Sequence, residues 1–447
     1  MVAAVFVVVA IREGKVDTAS APISMADAGE RADPAPATPV ATRLAAILNM
    51  LEEHRAAGTT LSARRAAAIS AMIDDVAATA AEGKPRAFRR KRRMASARGY
   101  KQEGRRLGQG ERGAVVVGAR HRATGRAVAV KSLHRRSGRS HAVDVLREAC
   151  FTAAGGGHPS LAAFRTVARS PSTADYSIVL DNDAAGPSLR AAMGGDRPFS
   201  EAEVRRVMRQ LLAGAKVMHG HGIVHRDIKP DNIILVGDVA GGGAVRICNY
   251  EAAKSLADRN PPCRFAGTLA YMAPEVLARN AGHGTPVDAW SLGCVMAELL
   301  AGKPPFAGKD EANHLFKIFD VLGVPCKRVW QAMEPQAHDD EVQVWRARQL
   351  RARHRNRLRE LFPEEMLSRD GFQVLNGLLT CDPEKRLTAA GALQCLWFTE
   401  NVDDAPVPFS GRAMVTKIAA MASKSKSLAI SFVGCALALL RPKALVH

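Results

Sequence analysis

The 447-residue chain is 47% hydrophobic and 24% charged, with 63 lysines and arginines against 44 acids. That apolar content rules out a wholly disordered or low-complexity chain, and the length predicts one sizeable domain with extensions. The basic excess is clustered at 84–106, at 346–359 and after Arg412; such clusters suit acidic partners, nuclear import or nucleic acid, but a charge run is more often a solvated face.

Residues 1–41 open with "MVAAVFVVVAIREGK", an apolar run with no basic leader and no clear cleavage site, so it does not read as a secretory signal. Met25 is an alternative start, and the Ala/Pro-rich stretch 26–41 has too little to bury; 1–41 is expected to be disordered or partly outside the natural product. Leu44, Ile47, Leu48 and Leu51 follow the i, i+3, i+4, i+7 spacing of an amphipathic helix with Thr42 as its cap and Gly58 as its end. Ile69, Met72, Ile73 and Val76 repeat the spacing, predicting a helical hairpin over 42–83 whose stripes face each other or the neighbouring domain. A basic linker, 84–99, carries the unbroken run Arg89 to Arg93, read equally as a nuclear-import patch or a solvated linker. From Tyr100 the pattern turns to short strands, and from Glu201 helical periods dominate. A small β-rich lobe (100–182) followed by a larger helical lobe (183–398) is the expected α+β architecture. The tail, 399–447, includes "SLAISFVGCALALL", shorter than the roughly 20 apolar residues that cross a bilayer, so a membrane is not an expected partner. Eight scattered cysteines without a C-x-x-C pair read as reduced thiols of the nucleus and/or cytoplasm.

Three chemical motifs lie in this frame. "LGQGERGAVVVGAR" places Gly108, Gln109, Gly110, Gly113 and Val115 in a glycine-rich turn followed by a strand, not a helix, which suits a β-turn-β flap that approaches phosphate oxygens through bare backbone. "AVAVKSL" puts Lys131 on an apolar strand beside Ala129, and Glu148 on a following helix is the acid a buried lysine requires. On that helix Val143, Leu146 and Cys150 are spaced to face the core. "GIVHRDIKPDNIIL" then brings His225, Arg226, Asp227, Lys229 and Asn232 together in one loop.

In this order the motifs resemble those of the eukaryotic protein kinases, over residues 100–398, and imply a bilobal kinase fold using ATP with Mg2+, or Mn2+. The resemblance implies that the flap, Ala129, Lys131, Glu148, Leu180 and Asp181 hold the nucleotide. It also implies that Asp227 orients or accepts the substrate hydroxyl proton, Lys229 steadies the transferring phosphate and Asn232 binds a metal ion. A lysine two positions after Asp227 is the serine/threonine-kinase pattern. Structural roles carry over to Arg226, Asp288, and the pair Glu275 and Arg386. "LFKIFDVLGVP", "LREACF" and "GFQVLNGLLTCDPEKRLTAAGAL" bring the chain nearest to the cyclin-dependent kinase F-like group of grasses, within the cyclin-dependent and mitogen-activated set.

One motif departs from that pattern. "VRICNYEAAKSL" has Asn249, Tyr250 and Glu251 where the family has Asp, Phe and Gly, so a neutral amide replaces a metal-binding carboxylate. The nearest upstream acid, Asp238, belongs to the far end of the preceding hairpin and is not a substitute. Glu251 is read either as a partial replacement ligand or as a solvent-facing side chain that stiffens the segment. Cys263 stands near the usual activating threonine, Met272 replaces an arginine of proline-directed relatives, and the helix around Glu148 lacks the cyclin-recognition sequence. A cyclin is therefore a partner that nothing in this helix indicates. The arginines between Arg346 and Arg359 read as a basic surface helix. Two functions remain: a serine/threonine kinase acting on an unidentified protein, impaired by Asn249, or a pseudokinase that binds nucleotide or partners as a scaffold. A nucleic-acid-binding role is not expected, because the basic patches lack interleaved aromatics.

Overall fold

The computed structural model describes residues 38–57, 61–82, 95–109, 114–132, 141–173, 175–182, 186–194, 198–236, 243–257, 266–278, 284–323 and 356–399. The expectations for 1–37, for most of the basic linker, for Gly110, Gly113, Asp238 and Cys263, for the arginines up to Arg355 and for the tail from 400 lie outside these residues.

Two helices come first, α1 (Pro39–Ala56) and α2 (Ala63–Glu82). The cap of α1 is Thr38 rather than Thr42: the Thr38 hydroxyl accepts from the Ala41 amide at 3.1 Å, and Pro39 fits the first turn, where its missing N–H costs nothing. Thr42 sits one turn in, its hydroxyl donating back to the Thr38 carbonyl at 3.2 Å. Helix thus begins inside the stretch expected to be disordered.

A six-stranded sheet follows, in the order β1-β5-β6-β4-β3-β2. Its strands are β1 (Ala95–Ser96), β2 (Tyr100–Gln109), β3 (Val115–His121), β4 (Ala127–Ser132), β5 (Phe164–Arg169) and β6 (Tyr176–Asp181). Between β4 and β5 runs α3 (His141–Ala154). Strand alternation sorts β4 cleanly: Val128 and Val130 pack with Ala119, Ala168 and Val179 on one face, while Ala129 joins the main core. Lys131 therefore shares the Ala129 side, toward α3.

The helical lobe is built on α5 (Glu201–Gly220), preceded by the single turn α4 (Leu189–Ala192), and on α7 (Pro286–Ala301), whose side chains are almost all buried. Ser200 and Glu203 close a reciprocal capping box at the start of α5. Short strands β7 (Ile223–Val224), β8 (Ile233–Val236), β9 (Ala244–Ile247) and β10 (Lys254–Ser255) pair as β7 with β10 and β8 with β9, and so hold the loops between them. α6 (Pro274–Leu277), α8 (Glu311–Leu322) and short helices within 358–399 complete the lobe. Among the described residues no helix is long and apolar enough to cross a membrane.

Candidate active site

Register places the first motif. Gly108 lies opposite Val116 and Gln109 opposite Val115, so the strands on either side of the glycine turn form a hairpin. Ala129 pairs with Leu180 on the neighbouring strand, both buried. Asp181 ends β6, but its carboxylate is bonded by Arg165 and its amide donates to the Ala163 carbonyl at 3.0 Å. Both bonds tie the end of β6 to the chain entering β5.

Lys131 Nζ lies 2.5 Å from Glu148 Oε1, with both residues buried. Charge-assisted bonding in a low-dielectric site fixes the ammonium in place. The same Nζ donates to Asn249 Oδ1 at 2.6 Å, and Asn249 Nδ2 donates to Asn232 Oδ1 at 3.0 Å. Asn232 Nδ2 in turn donates to the Asp227 carboxylate and carbonyl, each at 2.8 Å. Lysine has no acceptor, so the Asn249 atom that faces it must be oxygen, and the amide NH2 then faces Asn232.

The consequence bears directly on metal. A protein kinase metal seat needs outward-facing oxygens, preferably anionic. Here the Asn249 oxygen accepts from Lys131 and the Asn232 oxygen accepts from the Asn249 NH2, so each has at most one lone pair left to offer and neither is anionic. Asp227 is occupied by Asn232, Lys229 and Thr268. No cluster of three Asp, Glu, His or Cys side chains suited to a cation exists among the described residues, and Glu251 belongs to none. As arranged, these residues do not fit a divalent cation, and a carboxylate at 249 would remove the misfit by presenting oxygen on both sides.

The loop 225–232 is assembled around Asp227. Asp288, fully buried, accepts from the His225 and Arg226 amides at 2.8 Å each and from His219 Nε2 at 3.0 Å. Burial opposes its charge, but the His219 hydrogen bond and the nearby His219 and His225 rings hold its pKa below the ordinary carboxylate value. This carboxylate holds Arg226 in a left-handed conformation, φ 67°, that a non-glycine residue rarely adopts. Arg226 Nε donates to the Ala252 carbonyl at 2.7 Å, tying the loop to the Asn249 segment. Opposite it, Gly267 has φ 116°, and a Cβ there would lie 2.5 Å from the Arg226 carbonyl oxygen; only glycine fits.

Nothing in the sequence singles out Thr268 as a site residue. Its hydroxyl donates to Asp227 Oδ1 at 2.8 Å and accepts from Lys229 Nζ at 2.5 Å. Lys229 Nζ also lies 3.3 Å from Asp227 Oδ2. A threonine in the loop before α6 carries no signal of its own, since only folding the 266–271 segment over the catalytic loop brings it to Asp227. Beside these residues a small cleft is lined by Arg226, Asp227, Thr268, Met272, Val276 and Val287.

Arg386 forks onto Glu275 at 2.6 and 2.8 Å and donates to the Pro286 carbonyl at 2.9 Å. Tyr250 is buried, its ring 5.1 Å from that of His225, and its hydroxyl has no hydrogen-bond partner among the described residues. Asn249 itself adopts φ 67°, a conformation that Asn and Asp tolerate best after glycine. Cys248 lies between β9 and Asn249, and burial of its thiol pushes the pKa up to about 12, so it is no nucleophile.

Comparison with known proteins agrees with this geometry. The protein kinase domain family matches residues 101–398. A rice (Oryza sativa subsp. japonica) protein named "Putative cyclin-dependent kinase F-2" is 43% identical over 304 residues, covering 66% of this chain and 88% of that protein. Cyclin-dependent kinase G-2 of Oryza sativa subsp. indica is 40% identical over 227 residues, 49% of this chain and 30% of its own length. Cyclin-dependent kinase G1 of Arabidopsis thaliana is 39% identical over 228 residues, 49% of this chain and 34% of its own. The chain thus spans about a third of the length of the last two. A bilobal fold, a lysine–glutamate pair, and an aspartate held between lysine and threonine in a loop braced by a buried carboxylate place this chain in the protein kinase family.

Proposed function

We propose that the chain is an ATP-dependent serine/threonine protein kinase of the cyclin-dependent-kinase-like type, slowed by Asn249. The observation that carries this reading is the setting of Asp227. Its two carboxylate oxygens are held by Thr268, Asn232 and Lys229, an arrangement that fixes a base at the edge of a small cleft. In the reaction a substrate serine or threonine oxygen bonds to the γ-phosphorus, the bond to the ADP oxygen breaks, and the hydroxyl proton passes to Asp227. Lys229 stands beside the transferring group, and Lys131, fixed by Glu148, meets the α- and β-phosphates. Phosphoryl transfer is catalysed chiefly by positioning and charge, so having a neutral amide in place of a carboxylate at 249 removes several kcal/mol, or roughly two to four decades in rate, without abolishing transfer.

Transfer of labelled γ-phosphate to a generic basic protein tests the reading. Wild type is expected to show slow incorporation that disappears in Asp227→Ala; equal incorporation by both would refute it. The substrate cleft beside Asp227 has Met272, Val276 and Val287 in its lining, and with Met272 in the loop a Ser/Thr-Pro preference is not carried over. A cyclin partner rests only on the names of the relatives. A nuclear or cytoplasmic location rests on the free cysteines among the described residues.

A second reading, a pseudokinase that binds nucleotide or partners without turnover, is favoured by one observation: the Asn249 and Asn232 amides bond to each other where a cation would sit. Incorporation seen only after Asn249→Asp would select it.

A further inference from the structure

We infer that the hairpin of α1 and α2 is an intramolecular positioning element for the nucleotide clamp, joining the helix that carries Glu148 to the segment that carries Asp227. This rests on reading Lys131 and Glu148 as that clamp.

The first observation is the burial of α3. A lobe-edge helix that packs on its sheet needs one apolar stripe, here Val143, Leu146, Cys150 and Ala154. Yet Val145, Ala149, Thr152 and Ala153 are buried as well. A helix buried nearly all round needs cover on its second face.

The hairpin supplies contacts at both ends of α3. At its start Arg55 Nη2, near the end of α1, lies 2.6 Å from Asp144 Oδ1. Just past its end Gly156, φ 52°, approaches α2 so closely that a Cβ would lie 2.3 Å from the Ala80 Cβ and 2.6 Å from the Ala80 carbonyl carbon. Within the hairpin, Arg43 of α1 bonds Asp75 and donates to Thr79 Oγ1 at 2.7 Å, so the two helices move together.

A third attachment reaches the helical lobe. Thr38 Oγ1 lies 3.1 Å from Nδ1 of His221, the cap of α5, six residues before Asp227. The hydroxyl already accepts the Ala41 amide, so its proton is available to an unprotonated ring nitrogen. Burial lowers the His221 pKa and favours the neutral ring, whose Nδ1 accepts that proton in the tautomer protonated at Nε2. One body thus grips α3 at both ends and the approach to the catalytic loop. A separate protein that had to grip this face of α3 would first have to displace residues of its own chain.

The test uses the full chain and a fluorescent adenine nucleotide in chelator, with melting temperature measured alongside. Arg55→Asp and Asp144→Arg, both at exposed sites, and Thr38→Val are each expected to weaken nucleotide binding, the charge reversals roughly two- to fivefold, with little change in melting temperature. The double swap Arg55→Asp/Asp144→Arg should restore affinity, which a merely structural loss would not do. Folded single variants that bind as wild type, or a double swap no better than the singles, overturn the inference. Lys131→Met separates the two claims: if it binds nucleotide as well as wild type, the clamp reading itself fails. If it loses binding while the hairpin variants keep theirs, only the hairpin inference falls.

Discussion

Replacing Asn249 by Asp changes one atom type and reverses the role of one side of the site. Toward Lys131, the 2.6 Å contact, already charge-assisted by the ammonium and so worth roughly 1.5–3 kcal/mol, becomes charge-assisted on both sides and strengthens by about 1 kcal/mol. Toward Asn232, the 3.0 Å donor is replaced by an oxygen facing an oxygen. Asn232 cannot turn its amide to compensate, because its NH2 is committed twice to Asp227 at 2.8 Å. That side loses about 1–3 kcal/mol, so in chelator the two changes cancel to within about 2 kcal/mol. A divalent cation then relieves the facing oxygens of the variant but finds no such seat in the wild type. At about 100 times its dissociation constant it should stabilise Asn249→Asp by about 2.7 kcal/mol, roughly 5–10 °C in melting temperature. The assay is thermal unfolding against magnesium concentration at constant ionic strength. Wild type should move by less than about 2 °C. Equal responses of the two proteins would refute the amide argument.

Three other substitutions probe the same architecture. Tyr250→Phe removes a buried hydroxyl that has no partner among the described residues and should stabilise the protein by about 1 kcal/mol, or roughly 2–4 °C; destabilisation would show that the hydroxyl is bonded. Glu251→Gln keeps the size of the side chain and removes its charge. Because Glu251 belongs to no cation-binding cluster among the described residues, unchanged magnesium- or manganese-dependent transfer is expected, and lower transfer would show that it partly replaces the lost carboxylate. His314 is buried and accepts the Gly308 amide through Nδ1 at 3.2 Å, and burial lowers its pKa from 6.5 to about 4. The unfolded chain therefore takes up a proton that the folded chain refuses as pH falls from 6.5 to about 4. Stability is lost across that window, by at most about 3 kcal/mol from this group. His314→Gln should flatten the slope of stability against pH there, and an unchanged slope would exclude His314 as a cause.

Residues whose roles depend on spacing within one segment were legible in sequence. Lys131 alternates with Ala129 along β4 and, once buried, calls for an acid such as Glu148 on α3, while the grouping of Asp227, Lys229 and Asn232 followed from the resemblance of their one short loop to the kinase motif. Thr268 was not legible, because it reaches Asp227 from 41 residues away through a fold of the chain. The direction of the Asn249 amide was hidden for a different reason. Sequence shows that a charge is lost, but only the lysine at its other side decides that N–H rather than C=O faces Asn232. Helix α1 starts earlier than expected because the cap signal, a threonine before an apolar stripe, occurs at both Thr38 and Thr42, and Pro39 is what selects the first. The two apolar stripes of the hairpin could face each other or the neighbouring domain, and only the contacts with Asp144 and Gly156 single out α3 as what the hairpin meets.

The central claim is that the proton-handling half of the site is complete and the metal-holding half is not. Single-turnover transfer of the γ-phosphate by wild type and by Asn249→Asp, in the same magnesium concentration, measures this directly. The account predicts detectable wild-type transfer, roughly two to four decades slower than the variant. Equal rates would contradict it, because the chemistry would then not depend on the group at 249.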